Sequence, residues 1–201
     1  MRLCLYLSHP QVKIDPGVPV PQWDLSAEGL ARAKAFAARD LIGRGTPIFT
    51  SAEPKAKQFA AELAKVSRSP IITHESFGEN DRSATGFLPP EEFERHADAF
   101  FAQPDQSVGG WETANAALAR IVAAVRDGLK QVPPSQRVVF CGHGAVGTLL
   151  KCYLGRRPVA RTEDQIGAGL TGGGNGFAFD FEGRRLLGEW TPMEQLARVS
   201  S

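Results

Sequence analysis

"RVVFCGHGAVG", Arg137 to Gly147, is the stretch whose reading decides the fold. Val138 to Cys141 is the clearest buried strand in the chain. A helix follows it directly, Val146 to Leu154, with His143 on the connection. A strand that feeds straight into a helix is half of a strand–helix–strand unit. Other parts of the chain repeat the pattern. Leu3 to Leu7 is a short apolar run ending at Ser8-His9-Pro10. Pro10, Pro16, Pro19 and Pro21 then exclude a helix before Ser26. Ser26 is a candidate N-cap, with Glu28 near the positive end, for an Ala-rich helix from Ala27 to Leu41. "IFTS", Ile48 to Ser51, reads as a strand, Lys55 to Val66 as a helix, and Ile71-Ile72 as a third short strand.

A polar stretch follows, "HESFGENDRSATGFLPP", of a length usual for functional or mobile loops. Glu91 to Ala102 and Thr113 to Val132 read as helices, the second with Leu118, Ile121, Val122, Val125 and Leu129 on one stripe. Phe177, Phe179 and Phe181 alternate before a turn at Glu182-Gly183, which reads as a β-hairpin. The expected architecture is therefore an α/β, three-layer αβα sandwich on a mostly parallel sheet. It forms a single domain over residues 1–201, with a loop and helix insertion at about 78–110 over one end of the sheet.

Composition narrows the function classes. Of 201 residues, 42% are hydrophobic and 22% charged, ordinary values for a globular domain. The formal net charge is +1, without the basic surplus of a nucleic-acid binder. No run approaches the roughly 20 apolar residues of a membrane span, and no signal peptide is indicated. The expectation is a cytoplasmic protein with neither nucleic-acid nor membrane partners. Cys4, Cys141 and Cys152 are odd in number and read as reduced thiols. Cys141-x-His143 is too sparse for a metal site. A cysteine phosphatase needs an arginine six residues after its cysteine, and that position is Gly147. "GGGNG" at 172–176 precedes a hairpin rather than a helix, so it reads as turn chemistry, not a phosphate loop.

In open α/β sheets, ligands bind beyond the carboxyl ends of the strands. Two of the four histidines, His9 and His143, follow the two best buried strands. His74 and His96 have no such placement, and His96 reads as part of a solvated helix face. If the two strands are neighbours, the two imidazoles converge. One imidazole can be a nucleophile toward phosphorus, and a second can stabilise the oxygens of the transferring group. A carboxylic acid would protonate the leaving oxygen, and Glu75, Glu79 and Asp81 are available for that, beside Arg82. No metal or cofactor is needed for this chemistry.

These residues resemble the histidine phosphatase (phosphoglycerate mutase-like) superfamily. "LSHP" stands where the family has a strand ending in Arg-His-Gly, and "LSAEGLARA" where it has Leu-Thr-x-x-Gly and a helix. "SAEPKAKQFA" matches the Ser-Pro-Leu-x-Arg-Ala-x-Gln-Thr-Ala block at Ser51, Ala56, Gln58 and Ala60, with Lys55 in the arginine's place. Glu112 and Arg120 keep the spacing of a later Glu…Arg block. "VVFCGHGAV" matches the second-histidine strand, and Asn175 the late asparagine. The resemblance runs from about residue 3 to 190, with the blocks in order.

It implies a phosphomonoester hydrolase working through a phosphohistidine on His9 and acting on a phosphorylated small molecule. His143 is the implied partner in the phosphate pocket and Glu79 the acid, with Glu75 as the alternative. Ser8 and Lys55 stand at the implied phosphate-binding positions, and Arg82 is the further phosphate-binding candidate from the loop. Two departures stand out, since Ser8 and Lys55 replace arginines that hold phosphate in the family. A hydroxyl and a point charge do not reproduce a planar fork of donors. Arg82 or Lys13 is available to compensate, although Arg82 also reads as a solvated loop cation. The departures keep open a degenerate member that binds a phosphorylated ligand or a protein without turnover. A mutase is the third reading.

Overall fold

The structure, a computed structural model, describes residues 1–168 and 172–197. Strands β1 (Cys4–Ser8), β2 (Ile48–Thr50), β3 (Ile71–Thr73) and β4 (Val138–Gly142) form the parallel part of one sheet. Strand β5 (Asn175–Asp180) runs antiparallel to β1, and β6 (Arg185–Leu186) and β7 (Thr191–Pro192) pair antiparallel with β5. The order across the sheet is β3-β2-β4-β1-β5-β6. The hairpin expected around Glu182-Gly183 is the β5–β6 pair.

Period-two alternation sends the sheet's side chains to two different cores. Tyr6, Phe49, Phe140, Phe177 and Phe179 point to one face. There they meet helices α4 (Ala114–Lys130) and α5 (Gly144–Gly155), and Phe100 and Phe101 of α3 (Pro90–Ala102). Leu7, Ile48, Val139 and Cys141 point to the other face, against α1 (Ala27–Ala38) and α2 (Pro54–Ser67). Each large side chain buried this way contributes about 1.5–3 kcal/mol. The three-layer αβα sandwich follows from that two-sided burial.

Helix ends are set by local chemistry. Ser26 caps α1 by accepting the Gly29 N–H at 3.0 Å, and Thr113 caps α4 by accepting that of Ala116 at 3.2 Å. Helix α1 stops at Ala38 rather than Leu41, and Asp40 turns left-handed at φ 47° just beyond it. Helix α5 begins at Gly144, two residues before the expected Val146. His96 does not lie on a solvated face. It is half-buried and stacks on Trp111 with centroids 5.5 Å apart. All three cysteines are buried and unpaired. No helix among the described residues is long and apolar enough to cross a membrane.

The topology fixes where the two histidines go. β1 and β4 are parallel neighbours, with Ser8 opposite Gly142. The next residue on each chain is a histidine, so both imidazoles leave the same edge of the sheet.

Candidate active site

The His9 N–H continues the ladder by donating to the Gly142 carbonyl at 3.0 Å. Its ring Nδ1 lies 2.8 Å from the Pro10 carbonyl oxygen. A carbonyl only accepts, so the proton sits on Nδ1 and Nε2 keeps its lone pair. Burial, and then the neighbouring His143, push the pKa of His9 down to about 3, against the favourable Pro10 contact. His9 is therefore neutral at ordinary pH, as a nucleophile must be.

His143 stands edge-on to His9, with centroids 5.2 Å apart. Its backbone is pinned by Tyr6, whose hydroxyl donates to the His143 carbonyl and accepts its N–H, both at 3.0 Å. Gly142 makes that approach possible, because a Cβ there would lie 2.4 Å from the Tyr6 hydroxyl oxygen. The His143 Nε2 meets Ser51 Oγ at 2.8 Å and Glu53 Oε1 at 3.3 Å. Its Nδ1 is buried without a partner. Burial lowers the His143 pKa, while Glu53 and Glu79 oppose that.

Glu53 is the functional residue that sequence reasoning missed. Its Oε2 pairs with Lys55 Nζ at 2.5 Å, and its Oε1 accepts the Glu79 N–H at 3.0 Å. Burial works against its charge, but His143 and Lys55 outweigh burial and hold the carboxyl at about 2. One carboxylate thus ties together three residues picked from the sequence.

Glu79 reaches across to the start of α5. Its two carboxylate oxygens accept the N–H groups of Ala145 at 3.1 Å and Val146 at 3.0 Å. These are orphan donors at a helix N-terminus, and they fix where the carboxyl group sits. Arg120 braces the loop that carries Glu79. It donates to the carbonyls of Ser76, Gly78 and Glu79 at 3.0–3.1 Å and pairs with Glu112 at 2.7 Å. That interaction gives the Glu112…Arg120 spacing its physical role. Glu79 lines both the cleft next to His9 and a neighbouring groove, whereas Glu75 lines that groove and not the cleft.

The phosphate-binding candidates are distributed unevenly. Arg82 lines the His9 cleft, its guanidinium 5.2 Å above the ring of Phe93 and 5.5 Å from that of Trp111. Among the described residues it has no carboxylate partner. Lys55 is buried, its charge met by Glu53 and its remaining reach directed to the Val20 carbonyl at 2.8 Å. Ser8 is not brought to the cleft surface. Its Oγ lies 2.6 Å from Gln165 Oε1 and accepts the Asn175 N–H at 3.0 Å. Ser8 and Asn175 thus lock together directly beneath His9.

The glycine run sharpens the turn reading. Gly172, Gly173 and Gly174 all have φ between 74° and 87°. The Gly174 N–H donates to the His9 carbonyl at 2.9 Å, and a Cβ on Gly173 would sit 2.3 Å from that same oxygen. The run is a backbone cradle for His9.

The model of the histidine phosphatase superfamily (branch 1) matches residues 19–169. The chain belongs to the histidine phosphatase superfamily. The matched span holds His143, Ser51, Glu53, Lys55, Glu79 and Arg82 and begins after His9, whose place beside His143 is given by the β1–β4 register. Among solved structures, the chain resembles a mycobacterial glucosyl-3-phosphoglycerate phosphatase complexed with VO3. The TM-score is 0.76 at 20% identity, over 96% of this chain and 100% of that one. It also resembles Bacillus stearothermophilus YhfR, with TM-score 0.72 at 16% identity over 92% and 94%. An Entamoeba histolytica phosphoserine phosphatase, in complex with 3-phosphoglyceric acid, gives TM-score 0.70 at 16% identity over 98% and 100%. These likenesses show the histidine phosphatase fold. No curated protein matches.

Proposed function

We propose that this protein hydrolyses phosphomonoesters through a phosphohistidine on His9. The observation that carries the reading is the pair of imidazoles. His9 has Nδ1 tied to Pro10 and Nε2 bare, and it stands against His143, whose Nδ1 has no partner. A phosphoryl group beside these two nitrogens meets a nucleophile on one side and a donor on the other.

In the first step, the His9 Nε2 lone pair forms a bond to phosphorus as the ester P–O bond breaks. The leaving oxygen takes a proton from Glu79, which is left as a carboxylate. In the second step that carboxylate takes a proton from water, the hydroxide oxygen bonds to phosphorus, and the P–N electrons return to Nε2. His143, carrying a proton on Nδ1, donates to a phosphoryl oxygen in both steps, as the charge on that oxygen changes. Arg82 supplies the free positive charge of the cleft. Lys55 contributes from further back, because Glu53 already meets its charge. The reaction uses a phosphorylated small molecule and water.

A second reading, ligand binding without turnover, is favoured by one observation. Ser8 and Lys55 both have their polar groups engaged by protein partners. Steady-state hydrolysis of p-nitrophenyl phosphate by wild type beside His9→Asn separates the two. The hydrolase reading expects release that the variant loses by at least about a thousandfold. Equal background rates with retained phosphate binding give the answer to the second reading.

A further inference from the structure

We infer that the cleft beside His9 selects a phosphomonoester with one anionic group and an apolar body. This rests on the hydrolase reading for the phosphate end and adds the class of the rest of the molecule. The cleft is large, about 610 Å³, far more than a phosphoryl group fills. Two of its lining residues are aliphatic and open to solvent, Ile14 at 62% and Ile166 at 60% exposure. Single exposed aliphatics are common on any surface. Two on the lining of one cleft, with the half-buried Phe93 also lining it, make a surface that gains by being covered.

The cations of the cleft decide against a second anionic group. Arg161 lines the cleft but is saturated by carboxylates, pairing with Glu94, with Asp98 at 3.3 Å and with Asp164 at 2.5 Å. Glu94 and Asp164 line the cleft themselves, so the wall around Arg161 carries net negative charge. Among the described lining residues, Arg82 is the one cation without a carboxylate partner. It shares the cleft lining with His9, and electrostatically it opposes protonation of His143. The single phosphoryl group of the substrate takes that charge. A second carboxylate or phosphate, as in a phosphoglycerate or a bisphosphate, has no unpaired cation left and faces Glu94 and Asp164. An alkyl or aryl group meets Ile14, Ile166 and Phe93 instead.

Two measurements on the full chain test this together. Calorimetric affinities for methyl-, butyl- and octylphosphonate, which cannot be hydrolysed, read the cleft alone. Values of kcat/KM for the matching alkyl phosphates, beside glycerol 3-phosphate and 3-phosphoglycerate, read the cleft and the chemistry. Alkyl leaving groups are of similar basicity, so chain length isolates apolar contact. Affinity and kcat/KM are expected to rise about two- to fourfold per methylene until the cleft is filled, with 3-phosphoglycerate at or below methyl phosphate. Ile14→Asn and Ile166→Asn, which remove the apolar contact without adding charge, are expected to flatten that rise and to leave methyl phosphate hydrolysis unchanged. Phosphate release with no chain-length dependence, or with 3-phosphoglycerate preferred, overturns the inference and leaves the hydrolase reading intact. A chain-length rise in phosphonate affinity without any hydrolysis supports the apolar cleft and overturns the hydrolase reading. Flat affinities with no hydrolysis overturn both.

Discussion

Glu53 Oε1 lies 3.3 Å from His143 Nε2 while its other oxygen holds Lys55 at 2.5 Å. The carboxylate stands behind the second imidazole, on the side away from its unpartnered Nδ1. That arrangement favours an imidazolium able to donate to a phosphoryl oxygen. The active form in the proposed chemistry is protonated His143, so activity falls as pH rises through the His143 pKa of the complex. Removing the neighbouring anion lowers that pKa. Glu53→Gln is therefore expected to move the alkaline limb of the kcat profile, which reports the complex, to lower pH by about one unit, and Glu53→Asp to restore part of it. A purely structural role for Glu53 leaves the limb where it is. The same substitution strands Lys55, which is buried, and is expected to cost about 3 kcal/mol in denaturant unfolding.

Arg82 carries the unpaired charge of the cleft. Arg82→Ala is expected to raise KM about ten- to a hundredfold, the loss of one charge-assisted contact. Arg82→Lys restores only part, because a point charge lacks the guanidinium's fork and its stacking on Phe93 and Trp111. Initial-rate kinetics on one alkyl phosphate check both.

Gly173→Ala tests the backbone cradle. The position has φ +79°, and a Cβ would come within 2.3 Å of the His9 carbonyl oxygen. The substitution is expected to lower stability by about 2 kcal/mol or more and to reduce kcat by displacing His9. Gly167→Ala meets nothing within 4 Å and serves as the neutral comparison.

Stability should depend on acid in two stages. The pKa of His9 falls from 6.5 to about 3 on folding, and that of Glu53 from 4.5 to about 2. A group whose pKa is depressed by folding contributes stability above its unfolded value, and that stability is lost as pH falls through the window. The melting temperature is expected to decline from about pH 6.5 downward and more steeply below about 4.5. His9→Asn should weaken the first decline, to which His143 also contributes because burial lowers its pKa, and keep the second. A melting temperature independent of pH between 6.5 and 4.5 in wild type would contradict a neutral His9.

Much of this was legible in the sequence because it is local. An apolar strand ending in histidine can be read twice, at Leu3–His9 and Val138–His143, and the layer order follows from the alternation of strands and helices. The helix stops were less legible, because α1 ends before a left-handed Asp40 rather than at the later glycines Gly43 and Gly45. Glu53 was not legible at all. Its role arises where the start of α2 meets the end of β4, a contact 90 residues apart in the chain (143 − 53). In the sequence it is one more charged residue, placed just before a helix. The glycine run was legible as a turn but not as the cradle of His9, since that contact joins opposite ends of the chain. His96 misled for the same reason, as its neighbour Trp111 comes from the segment after its helix.

The nucleophile itself is the central claim. The direct measurement is to mix wild type with p-nitrophenyl phosphate, quench in base during turnover, and locate the phosphoryl group by peptide mass spectrometry. The account predicts a phosphate adduct on His9 that is lost in acid and absent from His9→Asn. Turnover without an adduct on His9, or an acid-stable adduct on the adjacent Ser8, would contradict it.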